Sequence, residues 1–149
     1  MNFLSNEMLP LALALISGVL MAVQGSLNSA LSKVIGLLEA TFVVQITGTV
    51  LVLILLVFKM GKGNIYAWPD APWYSWFGGI IGVAIIYLVA ASIPNVGVAN
   101  ATTAIIVGQV LTAIIIDHFG GFGLERMACS PKQIFGMVLL AVGAKLLLK

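Results

Sequence analysis

Long apolar stretches alternate with short polar breaks along the whole chain. A helix that spans a bilayer needs about 20 mostly apolar residues. Proline, glycine and charged residues divide the sequence into segments of about that length. The pattern predicts five transmembrane helices, over residues 8–32, 39–58, 72–93, 96–116 and 134–148, in a single transmembrane domain over residues 1–149.

The breaks between these segments carry their own signals. A polar, aromatic loop at residues 64–71 precedes Pro72, which is expected to open the third helix because the first helical position needs no N–H donor. Pro94 cannot donate a helical hydrogen bond, so the third and fourth helices are expected to separate at residues 94–97. The first stretch lacks a basic leader and exceeds the roughly 7–15 apolar residues of a signal peptide, which predicts a retained helix.

Composition supports an all-α polytopic membrane protein. Hydrophobic residues make up 61% of the chain and charged residues 8%, whereas ordinary soluble domains carry about 25% charged residues. Cys129 and His118 are single examples of their types, so metal-ligand clusters and intrachain disulfides are not expected. The basic residues are scattered, which gives no support to nucleic-acid binding. Without a nucleophile–base set, paired interior carboxylates or a phosphate loop, we predict no catalytic residues, no metal, no cofactor and no enzyme activity.

The distribution of lysine and arginine bears on orientation. With five spans, the termini lie on opposite faces of the membrane. The face of the N-terminus carries Lys59, Lys62, Arg126 and Lys132, and the face of the C-terminus carries Lys33, Lys145 and Lys149. This near balance gives the positive-inside rule no firm direction. In the favoured interpretation, the chain inserts in both orientations. Alternatively, the chain has one orientation, and a single residue such as Lys33 makes the Lys and Arg counts of the two faces nearly equal. Dual insertion predicts an antiparallel homodimer.

Amide side chains recur inside the predicted helices. Ser17, Gln24 and Asn28 share one stripe of the first helix. Polar side chains in a membrane bundle mark an interior face or a cavity, so we predict a substrate site. Its candidate residues are Gln24, Asn28, Gln45, Gln109 and Tyr87. Alternatively, the amides join helices to one another, each hydrogen bond contributing about 0.6 kcal/mol.

Glycine and tryptophan form two further groups. The glycines are expected to let helices approach closely; they are Gly18, Gly78, Gly79, Gly82, Gly136 and Gly143. Trp73 and Trp76 lie three residues apart at the entry to the third helix. They are interpreted either as part of an aromatic belt at the membrane interface or as an aromatic wall for a stacking or cationic ligand.

Several of these landmarks occur in a characteristic order. They are Gly18, Gln24 and Asn28; Pro72-Trp73, Trp76 and Gly78-Gly79-x-x-Gly82; Pro94-x-x-Gly97; Gly108-Gln109; Asp117-His118-Phe119-Gly120; and Gly136 with Gly143. In this order the chain resembles the YdcZ family of the drug/metabolite transporter superfamily, small bacterial inner-membrane proteins. The resemblance covers essentially the whole chain.

The resemblance implies a half-transporter. Superfamily members of about ten helices contain two inverted five-helix repeats, so an antiparallel homodimer would rebuild that inverted-repeat architecture around an unknown small-molecule substrate. By resemblance, the fifth helix would mediate dimer contact. The related small multidrug resistance proteins use a glutamate in the first helix, but this chain has no carboxylate between Glu7 and Lys33, which argues against proton-coupled export of cations. A dual-topology pore and a non-transporting assembly or lipid-binding protein are the alternative functions.

Overall fold

A computed structural model describes residues 3–148 of the chain, with side chains from residue 8 onward. The described part contains helices and no strands. The long helices are α1 (Phe3–Ile35), α2 (Leu37–Val57), α3 (Phe77–Val96), α4 (Val98–Phe119) and α5 (Pro131–Leu147). Short 3₁₀ helices cover Ile65–Asp70, Trp73–Trp76 and Gly121–Gly123. The Glu7 side chain and Lys149, which entered the predictions of charge and orientation, lie outside the described residues.

Four helical segments within the described residues are long and apolar enough to cross a membrane. They are Met8–Ile35, Leu37–Val57, Trp73–Val96 and Val98–Phe119. Helix α5 has 17 residues, the lower end of the range of about 17–25 that suits a spanning helix. The helical membrane class is therefore confirmed, and a fifth span stays a prediction.

The chain divides into two compact units, with the boundary after Asn95. In the first unit α1 packs on α2, and the buried side chains of the three long helices are small or polar except for one isoleucine: Asn28, Ser29, Ala40, Thr41, Ala90 and Ile93. In the second unit α4 packs on α5, with Ala101 and Ala144 buried. Most large apolar side chains in the described residues are exposed, as expected where lipid or another chain supplies the contacts.

Two single-glycine connections have the same local structure. Gly36 has φ 96° and ψ 158°, and Gly97 has φ 84° and ψ 161°, a region that is essentially restricted to glycine. The carbonyl of Gly36 accepts the Ala40 N–H at 3.0 Å, and the carbonyl of Gly97 accepts the Ala101 N–H at 3.1 Å. Each glycine thereby ends one helix and begins the next. The two sites share the pattern Gly-x-x-x-Ala-Thr, at residues 36–41 and 97–102.

The helix ends differ from expectation around the prolines. Pro94 lies inside α3, which continues to Val96. A proline this close to the end of a helix removes only one hydrogen bond, and Nδ2 of Asn95 donates to the carbonyl of Ala91 at 2.9 Å. The break falls instead at Gly97, whose backbone conformation no α-helix can contain.

The start of α3 also differs. Pro72 has an extended ψ of 137° and precedes the 3₁₀ helix Trp73–Trp76, so it does not occupy the first position of α3, which begins at Phe77. Helix α5, by contrast, begins earlier than expected, at Pro131, because Ser130 and Gln133 form a capping box. The Ser130 N–H donates to Oε1 of Gln133 at 2.8 Å, and the Gln133 N–H donates to Oγ of Ser130 at 3.3 Å.

The segment between α4 and α5 is held against the end of α4. The Met127 N–H donates to the Asp117 carbonyl at 2.8 Å, and Nε of Arg126 donates to the His118 carbonyl at 3.0 Å. The Cys129 N–H donates to Nδ1 of His118 at 3.2 Å. The His118 ring and the backbone carbonyls of Asp117 and His118 therefore hold this segment at the helix end.

Candidate functional site

A cleft of about 380 Å³ lies along one side of α1. Its lining residues in the described structure all belong to this helix: Ser17, Leu20, Met21, Val23, Gln24, Leu27 and Asn28. The polar stripe expected from the sequence therefore lies on one face and borders one space. The cleft is open rather than enclosed, and its lining within the described residues includes none from the other helices.

Asn28 is the polar side chain of this cleft that is nearly removed from solvent. It is 6% exposed, and no described residue makes a hydrogen bond with its carboxamide. The hydroxyl of Ser17, in contrast, donates to the Ala14 carbonyl of its own helix at 2.8 Å. No buried side-chain nitrogen or oxygen of the described residues lacks a partner, so the polar atoms of the Asn28 amide stay accessible although the residue as a whole is 6% exposed. The amide is therefore free to bind a group that enters the cleft.

One turn before Asn28, Gly25 makes a close approach to α3. A Cβ atom placed on Gly25 would lie 2.9 Å from Cγ1 of Val89 and 3.2 Å from Cδ1 of Ile93, both on α3. Glycine is therefore the residue that lets α1 and α3 pack this tightly. Our sequence analysis did not select Gly25, although Gly25 and Ser29 form the small-x-x-x-small pattern of membrane helix contacts.

The other predicted amide and tyrosine positions are more dispersed. Gln24 is exposed and lies one turn before Asn28, so the structure brings these two amides together. Gln45 is half-buried on α2, and Tyr87 is exposed on α3; neither lines the α1 cleft. Gln109 is exposed on α4, in the second unit.

The tryptophans at the entry to α3 have separate partners. The Trp76 ring meets Trp68 edge-on, with centroids 4.3 Å apart, and both line a cavity of about 240 Å³. Trp73 is 75% exposed, and its ring contacts Tyr74 and Phe77 at centroid distances of 6.1 Å and 6.0 Å. Trp73 and Trp76 are thus three residues apart in sequence, and their rings have different partners. The ring that pairs with Trp76 is that of Trp68, in the loop before Pro72.

The six predicted packing glycines have open surroundings in the described structure. A Cβ atom would meet nothing within 4 Å at any of these positions: Gly18, Gly78, Gly79, Gly82, Gly136 and Gly143. Gly143 borders an apolar cleft of about 370 Å³ between α4 and α5. Close packing at these glycines would require a partner other than the described part of this chain.

The sequence matches a family model described as "Putative inner membrane exporter, YdcZ" over residues 9–146. The chain belongs to the YdcZ family. The resemblance stated from the landmark residues is thereby confirmed. The family description is that of a transport protein of the inner membrane, which agrees with the apolar helices of the described residues. Searches of curated proteins and of solved structures each found no match.

Proposed function

We propose that this YdcZ-family chain is an exporter of a small molecule and that the α1 cleft is part of its substrate path. The observation that carries the proposal is Asn28, a largely buried residue whose carboxamide borders the cleft, stays accessible there and makes no hydrogen bond within the described residues. Gln24 lies in the middle third of the span Met8–Ile35, with Asn28 one turn further along. Transporter sites are typically near the membrane midplane.

The proposed working unit is an antiparallel homodimer with five spans per chain in the bacterial inner membrane. The α1 cleft has lining from a single helix and an open side, so a second copy could complete its wall. The near-equal lysine and arginine counts on the two faces support opposite insertion of the two copies. In this arrangement, further candidates for substrate contact are Gln45, Gln109, Tyr87, Trp73 and Trp76. Rocking of the helices around the site would alternate access to the two sides.

Substitution of Asn28 by leucine is expected to reduce export at least about tenfold, the effect of losing a hydrogen bond of about 1.4 kcal/mol. Leucine has a similar volume, so packing is retained while the amide is lost. Proteoliposomes would be loaded with a bacterial small-molecule extract, and the compounds that appear outside would be measured by mass spectrometry. Flux that saturates with concentration is expected for the unmodified protein.

Ser26→Ala is the matched control, because the Ser26 hydroxyl bonds to Ala22 of its own helix at 2.9 Å and does not line the cleft. It should leave flux unchanged. Flux that rises linearly without saturation would favour a pore over an exporter. An Asn28→Leu protein that transports normally would contradict the site, and one that loses dimer assembly would show that Asn28 joins helices.

Charge substitutions are expected to force one orientation. Removing Lys59 and Lys62 leaves the opposite face richer in positive charge and should direct the C-terminus to the cytoplasm, whereas removing Lys33 and Lys145 should do the reverse. C-terminal reporters active only on one side of the membrane would measure this. The unmodified chain should report on both sides, and oppositely biased variants should export better together than alone. A one-sided signal from the unmodified chain would contradict dual insertion.

A further inference from the structure

We propose that the ligand of the α1 cleft is an uncharged molecule that presents an adjacent N–H and C=O, as a carboxamide, lactam or ureide does, and that Asn28 is its anchor. This inference rests on the proposed function and specifies its substrate class. It follows from three properties of the cleft: its charge, its hydrogen-bonding groups and its apolar walls.

No ionisable side chain lines the cleft in the described structure. The Glu39 carboxylate lies against Gly36 at the start of α2, and Asp70 is exposed at the end of a 3₁₀ helix. Lys33 is exposed near the end of α1 and is not among the lining residues. A charged ligand would therefore leave water for an apolar cleft without a counter-charge, which is strongly unfavourable.

The hydrogen-bonding groups are carboxamides. Each offers two N–H donors and an oxygen acceptor, and the Asn28 amide uses none of them within the described chain. A ligand that only accepts or only donates would leave part of this amide unpaired. A cis-type amide edge can donate to the Asn28 oxygen and accept from its nitrogen at once, and Gln24 offers the same groups one turn away.

The remaining walls are apolar. Leu20, Met21 and Leu27 border the amides, and methionine adapts to irregular shapes. The volume of about 380 Å³ lies within the range of about 300–1,000 Å³ that is usual for small-molecule sites. The ligand is therefore expected to carry a compact apolar body next to its amide edge.

Three probes of nearly equal shape separate the charge classes: benzamide is neutral, benzoate is an anion and benzamidine is a cation. The purified full-length protein would be titrated with each at pH 8, and binding would be followed as an upward shift of the unfolding midpoint. Benzamide is expected to bind at least about tenfold more tightly than either charged probe, since an unpaired buried charge costs more than about 1.4 kcal/mol.

Asn28→Asp keeps the side-chain shape but replaces the amide with a carboxylate, so the preference should move from benzamide to benzamidine. Asn95→Asp is the matched control, because Asn95 lies on α3 and donates to its own helix; it should keep the benzamide preference. Gln24→Glu, at an exposed position of the same cleft, provides a second variant in case Asn28→Asp does not fold. It should also raise the relative affinity for benzamidine.

Tighter binding of benzamidine or benzoate by the unmodified protein would overturn the neutral class. Absence of benzamide binding up to its solubility would overturn it too, as would an unchanged preference in both acidic variants. Saturable flux in proteoliposomes together with any of these results would reject the substrate class while retaining the exporter. Absence of flux together with a benzamide preference that moves in the acidic variants would reject the exporter while retaining the neutral ligand class of the cleft.

Discussion

Alanine at Gly97 is expected to lower the free energy of unfolding by about 1–3 kcal/mol, the cost of holding a residue with a Cβ in a sparsely allowed backbone region. Gly97 has φ 84° and ψ 161°, and a Cβ there would meet no described atom within 4 Å. The effect would therefore come from the backbone alone. Alanine at Gly36, which has the same conformation, is expected to cost about the same, because the Glu39 carboxylate that its Cβ would meet is the end of a flexible, exposed side chain and can move aside.

Unfolding of the purified protein by heat or by added anionic detergent, followed by circular dichroism, would measure both effects. Gly48→Ala is the matched control, because Gly48 is inside α2 and its added Cβ would meet open space. This change should be neutral or stabilise by up to about 1 kcal/mol. Adding Glu39→Ala to Gly36→Ala should leave its cost unchanged, because the Glu39 carboxylate moves aside in the single variant. If the Gly97→Ala protein is as stable as the unmodified protein, the backbone conformation at residue 97 does not require glycine.

Valine at Gly25 is expected to separate α1 from α3 and to destabilise the first unit by about 1–3 kcal/mol, the usual cost of overpacking. The first added atom would already lie 2.9 Å from Cγ1 of Val89. Valine 89 is branched at Cβ and has little freedom to move aside. Because Gly25 lies between the cleft residues Gln24 and Asn28 on α1, Gly25→Val should also weaken ligand binding at the α1 cleft.

Gly48→Val provides the comparison for Gly25→Val, because it adds the same side chain to a helical glycine that has no described neighbour within 4 Å. It should leave stability and binding close to those of the unmodified protein. A Gly25→Val, Val89→Ala double variant should recover part of the lost stability, since it returns space to the contact. If Gly25→Val and Gly48→Val unfold at the same midpoint, the close approach of α1 and α3 does not contribute to stability.

The sequence by itself determined the membrane class, the approximate extent of the apolar helices and the family. These follow from composition, hydrophobic length and an ordered set of landmarks, which are properties of the chain alone. The stripe of Ser17, Gln24 and Asn28 could also be predicted, because residues separated by whole helical turns share a face whatever surrounds them.

The tertiary structure alone decided which of these polar groups is buried. Gln24 and Asn28 are chemically alike, yet Asn28 is 6% exposed whereas Gln24 is exposed. It likewise placed Trp68 against Trp76. Burial and ring contacts depend on residues far apart in sequence, for which helical periodicity carries no information. The position of the break at Gly97 was decided by the backbone, because proline removes one hydrogen bond whereas the φ and ψ of Gly97 lie outside the helical region.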